Sequence, residues 1–257
     1  MHELPLVFFT VLGQSAAGLY LLAYLSKKIG MVDEYQLRNA NIVAFITMII
    51  ALALGALHVG QPLRFFNMLL GVGRSPMSNE ALLSGIFVAF GAATLLFTLF
   101  IKNKVLSELC NIGTVIFGLA FVWSIPQVYN IATVANWFTV FTTLQMWMTL
   151  LVGGGALAIL LGAQRLGALA FLIGAVIIFA TRAAYVSFLG ETGPEISAEQ
   201  AGFWSFQLVV LALMLFVFPA LFIPDGSTAL LGICAIAVIL AELSGRIAFY
   251  NLWQITM

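Results

Sequence analysis

The chain has 257 residues, 63% of them hydrophobic and 8% charged, with ten basic and ten acidic groups and no net charge; its mean hydropathy is +1.12. A soluble domain carries about 25% charged residues, so this composition excludes a water-soluble globular protein, and the neutral balance excludes a basic nucleic-acid binder. Apolar runs of about 20 residues suit helices that cross hydrocarbon and not the short alternating strands of a barrel. A helix pairs its own backbone groups in lipid, so the expectation is an all-α integral membrane protein.

Eight transmembrane helices are predicted, bundled into one anchor domain over residues 1–257, at roughly 4–25, 40–61, 79–101, 107–130, 138–162, 166–189, 202–222 and 227–252. The first begins at Met1-His2-Glu3-Leu4, without the basic region of a signal peptide, and is expected to remain as an anchor. Gln14 lies about half-way along it. The polar gap 26–39 leads into the second span, which carries His58 near its C-terminal end. The gap 62–78 holds Pro62, Arg64, Gly71, Gly73, Arg74 and Pro76 and reads as a structured loop. Ser78 and Asn79 then offer N-caps to a third helix opening at Glu80. The short gaps at 102–106 and 163–165 force antiparallel neighbours. Gln127, Tyr129 and Asn130 close the fourth span, Arg182 lies in the sixth, and Glu242 and Arg246 share one face of the eighth at i, i+4 spacing. Glycines at 13, 18, 153–155, 162, 167 and 174 let helix backbones approach closely. Pro224-Asp225-Gly226 reads as a tight turn.

With eight spans both termini share one face, here face A. Its loops hold Arg64 and Arg74, whereas face B holds Lys27, Lys28, Arg38, Lys102, Lys104 and Arg165. The excess of Lys and Arg makes face B cytoplasmic and face A, with both termini, periplasmic. His58, Glu80, Arg182, Glu242 and Arg246 all fall in the face A half. A charge near mid-bilayer costs at least about 2.5–3.5 kcal/mol on insertion scales, so five such groups gathered toward one face point to a site. Each also has a structural reading: Glu242–Arg246 as an intrahelical pair, Arg182 as a counter-ion to a carboxylate such as Glu242, Gln14 as a helix–helix hydrogen bond, and Arg64 and Arg74 as contacts to lipid phosphate or a partner protein.

One imidazole and one or two carboxylates in an apolar pocket suit a lipid-soluble substrate that exchanges protons, and quinol oxidation fits. The imidazole of His58 takes a hydroxyl proton, and a carboxylate such as Glu80 accepts and passes another. The electrons need an acceptor. Cys110 and Cys234 are isolated, with no C-x-x-C to hold an iron–sulfur cluster or zinc. A b-type haem takes two axial histidines, and the protein has only His2 and His58. No metal ligand set and no haem are therefore expected here, and the acceptor is assigned to another subunit at face A.

His58-x-Gly60-x-Pro62-x-Arg64-x-Phe66-Asn67 with Ser78-Asn79-Glu80 resembles the signature of the membrane-anchor subunit of dimethyl sulfoxide reductase. So do Glu3-Leu4-Pro5 with Phe9-Thr10, Phe121-Val122-Trp123 with Tyr129-Asn130, and Ala241-Glu242-Leu243-x-Gly245-Arg246-x-x-Phe249-Tyr250. The resemblance runs from end to end, and the His58 and Glu242 stretches are its specific parts. It implies a haem-free anchor in the bacterial inner (cytoplasmic) membrane that binds and oxidises menaquinol in anaerobic respiration. The anchor would pass electrons to an iron–sulfur subunit with four 4Fe-4S clusters. That subunit would feed a catalytic subunit carrying molybdenum bis-guanine-dinucleotide, completing a heterotrimer. By resemblance His58 and Glu80 belong to the quinol site. Arg64, Gln14, Glu242 and Arg246 are its further candidates, with Arg64 and Arg74 as contacts to the partner. The competing expectations are an anchor of the polysulfide- or nitrite-reductase type, a small-molecule transporter, and a scaffold with no substrate. The one-sided charge and the lack of an internal repeat count against the transporter.

Overall fold

The computed structural model describes residues 3–58, 65–221 and 227–253. Eight of its helices are long and apolar enough to cross a membrane. They are α1 (Leu4–Lys28), α2 (Glu34–Ala56), α3 (Pro76–Leu95), α4 (Lys104–Tyr129), α5 (Val140–Leu160), α6 (Gln164–Thr192), α7 (Ala201–Leu221) and α8 (Thr228–Asn251). A wider π turn, Leu96–Ile101, extends α3, and short helices occur at Phe65–Met68, Leu69–Gly71 and Pro194–Glu199.

Local chemistry sets several of the ends. α2 begins six residues before the expected 40, because Asp33 and Gln36 form a capping box: Gln36 N donates to Asp33 Oδ1 (2.7 Å) and Asp33 N to Gln36 Oε1 (3.0 Å). α4 begins at Lys104 behind Asn103, whose Oδ1 accepts from Leu106 N (3.1 Å). α3 differs more. It starts at Pro76, a residue suited to the first turn, after Ser75. Ser78, Asn79 and Glu80 are therefore inside the helix and do not cap it. Asn79 instead turns its Oδ1 back to accept from Gly73 N (2.7 Å), which ties the preceding loop to α3. The 224–226 turn lies outside the described residues.

α1 is the hub, packed against α2, α4, α5 and α8. In its most apolar stretch 72% of residues are buried, against 22% for α3 and for α7, which stand at the periphery. Pairs α3/α4, α5/α6 and α7/α8 form antiparallel hairpins around α1 and α5. The α1–α5 crossing is made by glycine. A Cβ at Gly154 would lie 2.6 Å from Gly18 Cα, and one at Gly18 would lie 2.9 Å from Gly154 Cα. Gly155 and Gly167 do the same for α5 and α6. Lipid tails are as apolar as leucine, so close backbone contact supplies the association. Gly154→Leu is accordingly expected to separate α1 from α5 and to cost at least about 3 kcal/mol. The check is the amount of folded protein recovered from membranes and its unfolding temperature in detergent.

The surface is apolar where it meets lipid: Ile46, Ile50, Phe100, Ile116, Val209 and Phe216 are exposed. The interior holds Gln14, Glu80, Arg182, Gln207, Glu242 and Arg246, all buried.

Candidate functional site

α8 presents Glu242, Arg246 and Tyr250 at successive i, i+4 steps, so the three share one face turned into the bundle. They are 2%, 4% and 3% exposed. Glu242 and Arg246 do not form the direct intrahelical pair that their spacing suggests. The described ion pairs are Lys27–Glu34, Lys28–Glu108 and Glu3–His58. Glu242 takes its hydrogen bonds from neutral groups instead: Thr149 Oγ1 donates to Oε2 (2.7 Å) and Gln207 Nε2 donates to Oε1 (2.9 Å). Arg246 Nη2 donates to Thr149 Oγ1 (3.0 Å) and to Gln14 Oε1 (2.8 Å), while its Nη1 lies against Met146 Sδ. Arg182 Nη2 donates to Gln207 Oε1 (2.7 Å).

The result is a continuous buried network, Arg182–Gln207–Glu242–Thr149–Arg246–Gln14, crossing α6, α7, α8, α5 and α1. Arg182 reaches Glu242 through Gln207 and not as a contacting counter-ion. Its guanidinium also lies 5.5 Å from the Trp204 ring and 6.0 Å from that of Tyr185, which helps hold a cation away from water. Gly245 makes the crossing possible, since a Cβ there would lie 2.6 Å from Gln207 Nε2. The space left inside this cluster is about 10 Å³, enough for about one water and not for a ring.

Nearer face A is a second group. Tyr250 Oη donates to Tyr129 Oη (2.6 Å), and Trp137 and Phe249 pack edge-on to Tyr129 at 5.6 and 5.7 Å. Trp137 Nε1 donates to the Phe249 carbonyl (2.9 Å) and Asn136 Nδ2 to that of Leu252 (3.0 Å), so the 130–139 loop is pinned to the end of α8. Glu80 enters this region from α3. It is 7% exposed, and its Oε1 has no hydrogen-bond partner. Arg246 stands one helical turn before Tyr250 on α8, so the two groups follow one another along the same face.

The sequence-predicted residues divide four ways. Gln14, Glu242 and Arg246 come together, joined by Arg182. Glu80 is buried on α3 at the same end of the bundle as the tyrosine pair, its Oε1 unpartnered. His58 is exposed at the end of α2, its Nε2 3.8 Å from Glu3 Oε2, and the described contacts do not join it to Glu80. Arg74 is exposed in the loop and donates to the Leu70 carbonyl (3.0 Å), while Arg64 lies outside the described residues. Gln207, Thr149 and Tyr250 are the members that sequence reasoning missed as site residues. Gln207 was visible as a lone carboxamide in the most apolar part of α7, and Tyr250 as the next i+4 step after Arg246. Thr149 carried no signal, because threonine in a membrane helix ordinarily bonds its own backbone. Among the described residues no group of three His, Cys, Asp or Glu side chains could hold a metal ion.

A family model described as DmsC, DMSO reductase anchor subunit, matches residues 1–252. The protein belongs to the DMSO reductase anchor subunit family. The C subunit of the anaerobic dimethyl sulfoxide reductase of Escherichia coli is 31% identical over 274 residues, covering 98% of this protein and 95% of the relative. The corresponding C subunit of Haemophilus influenzae is 31% identical over 271 residues with the same coverage. The YnfH subunit of an Escherichia coli anaerobic dimethyl sulfoxide reductase is 34% identical over 160 residues, 61% of this protein and 56% of its own length. The family expected from the His58 and Glu242 stretches is the one these matches return, and the protein is a multi-pass membrane anchor subunit of a DMSO reductase-type complex. In this DMSO reductase anchor the buried charges are held by the α8 stripe and the α1–α5 crossing.

Proposed function

We propose that this anchor binds menaquinol at face A, oxidises it, and passes the electrons to an iron–sulfur subunit docked on the same face. That subunit in turn serves a molybdenum catalytic subunit, in a heterotrimer of the bacterial inner membrane. The observation that carries this reading is Glu80: a carboxyl group buried in the face A half, with an unpartnered oxygen, at the same end of the bundle as the paired hydroxyls of Tyr129 and Tyr250. A buried polar group without a partner costs free energy unless a ligand supplies the bond. A quinol hydroxyl is such a ligand.

In the proposed reaction one quinol loses two protons and two electrons and leaves as quinone. His58, on the exposed end of α2, takes one proton and Glu80 the other, and both release to water at face A. The electrons go to the partner's clusters. Haem is not required in this subunit, which offers His58 as its sole histidine beyond His2. Arg74 and Arg64 are proposed to contact the iron–sulfur subunit. Gln14, Glu242 and Arg246 hold the wall below the quinol head group, and the one-water space among them argues for a supporting role and not for ring contact. Replacing His58 by Gln tests the reading: quinol-driven reduction should be lost while assembly and reduction driven by a soluble artificial donor are kept. Retained quinol oxidation, or a complex that fails to assemble, overturns it.

Both protons and electrons leave on face A in this scheme, so turnover moves no charge across the bilayer. The reconstituted complex should therefore develop no membrane potential while oxidising quinol, as read with a potential-sensitive dye in sealed vesicles.

A further inference from the structure

The other end of the bundle carries a feature that quinol oxidation leaves unused. A recess of about 580 Å³ opens at face B between α2, α3 and α4. Its rim has Arg38, Lys102 and Lys104, and its acidic members are Glu34 and Glu108. The acids are already neutralised from outside the recess. Glu34 pairs with Lys27 (2.9 Å), and Glu108 pairs with Lys28 and accepts from Tyr24 Oη (2.8 Å). No described ion pair involves Arg38, Lys102 or Lys104, though Arg38 rests on the Tyr35 ring at 4.8 Å. Lys102, at φ 56°, closes the π turn and carries its charge to the mouth.

The inner wall is polar as well. Asn41 of α2 and Asn111 of α4 line the recess at 2% and 3% exposure, and neither Oδ1 has a hydrogen-bond partner. A half-turn of a carboxamide exchanges its acceptor and its donors, so each can answer either kind of group. Two buried, unsatisfied amides beneath three uncompensated cations describe a ligand with an anionic part and a hydroxyl-bearing part. Leu37, Phe97, Val105 and Leu109 supply the apolar part of the lining, and its remaining polar groups are already engaged, Thr98 with Ser107 and Asn103 with the Leu106 N–H. Basic recesses between membrane helices at the cytoplasmic side suit phospholipid head groups.

We infer that the α2–α3–α4 recess is a binding site for an anionic phospholipid of the phosphatidylglycerol class. Arg38, Lys102 and Lys104 hold the phosphate, Asn41 and Asn111 meet the head-group hydroxyls, and the acyl tails run down the outer faces of α3 and α4. The site stands at the opposite end of the bundle from Glu80 and does not depend on the quinol reading.

Native mass spectrometry of the intact complex, given phosphatidylglycerol or phosphatidylcholine, tests it. One phosphatidylglycerol should be retained per anchor, and phosphatidylcholine should not. The triple substitution R38Q, K102Q, K104Q should weaken retention about 100-fold, and the charge-keeping R38K, K102R, K104R should hold the lipid within a few-fold of the parent. Lys102 and Lys104 are exposed, so K102Q or K104Q alone leaves the packing intact and should each weaken retention about fivefold. Equal retention of the two lipids, or of phosphatidylglycerol by parent and glutamine variants, overturns the proposal. Displacement of the lipid by millimolar inorganic phosphate overturns the lipid assignment in favour of a free-phosphate site.

Discussion

Glu80→Gln should lower menaquinol oxidation roughly 100- to 10,000-fold, the range in which a positioned acid or base contributes, and leave artificial-donor activity unchanged. The carboxamide matches the carboxylate in size and hydrogen-bonding reach, so α3 keeps its packing against the neighbouring helices. What it loses is the capacity to take a proton. Glu80→Asp is the companion variant. It keeps the proton chemistry but withdraws the group by one methylene, so an intermediate rate separates proton transfer from simple charge. Quinol-driven turnover in membranes, set against turnover with a soluble donor, reads both. Full quinol activity in Glu80→Gln sinks the assignment and returns Glu80 to a structural role.

The second large effect is on stability. Glu242→Ala removes the one carboxylate within the buried network and leaves Arg182 and Arg246 in it, two guanidinium groups without a counter-charge. Breaking a buried ionic group on one side costs about 3–5 kcal/mol, since the surviving charge stays desolvated. The loss should appear as a lower unfolding temperature in detergent and less protein in the membrane. Glu242→Gln keeps an acceptor for Thr149 and a partner for Gln207, so its loss should be smaller. Adding Arg182→Gln to it removes one cation and should recover part of the stability. A Glu242→Gln variant as stable as the parent would show that the cluster is held by hydrogen-bond geometry alone. Because Arg246 and Tyr250 are successive i, i+4 positions of α8, the double variant also reports whether that wall shapes the Glu80 region: its quinol activity should fall with its stability and not independently.

Helix ends show where local chemistry was readable and where it misled. Asp33-x-x-Gln36 is a capping box legible as a string of letters, yet hydropathy alone put the start of α2 at 40, because polar residues in the first turn look like loop. Ser78-Asn79 has the letters of a cap, but Pro76 is a stronger helix opener. Asn79 was then free to bond the loop. The i, i+4 spacing of Glu242 and Arg246 correctly put them on one face. It could not tell that each would find a neutral partner closer than the other.

By itself the sequence determined the class, the eight apolar helices and the confinement of the membrane-embedded charges to one half of the bundle. Those follow from transfer energies that each segment meets alone: an apolar run either can or cannot enter hydrocarbon, and a charge costs the same wherever its partner lies in the sequence. Tertiary structure decided which partner each charge meets. Arg246 bonds Gln14 across 232 residues and Thr149 across 97, and Glu242 bonds Thr149 across 93. Those meetings depend on how closely and at what rotation the helices pack. Gly18 against Gly154 and Gly245 beneath Gln207 set that spacing through the absence of a side chain. A missing Cβ has no reach of its own, so its partner is defined only once the helices are assembled.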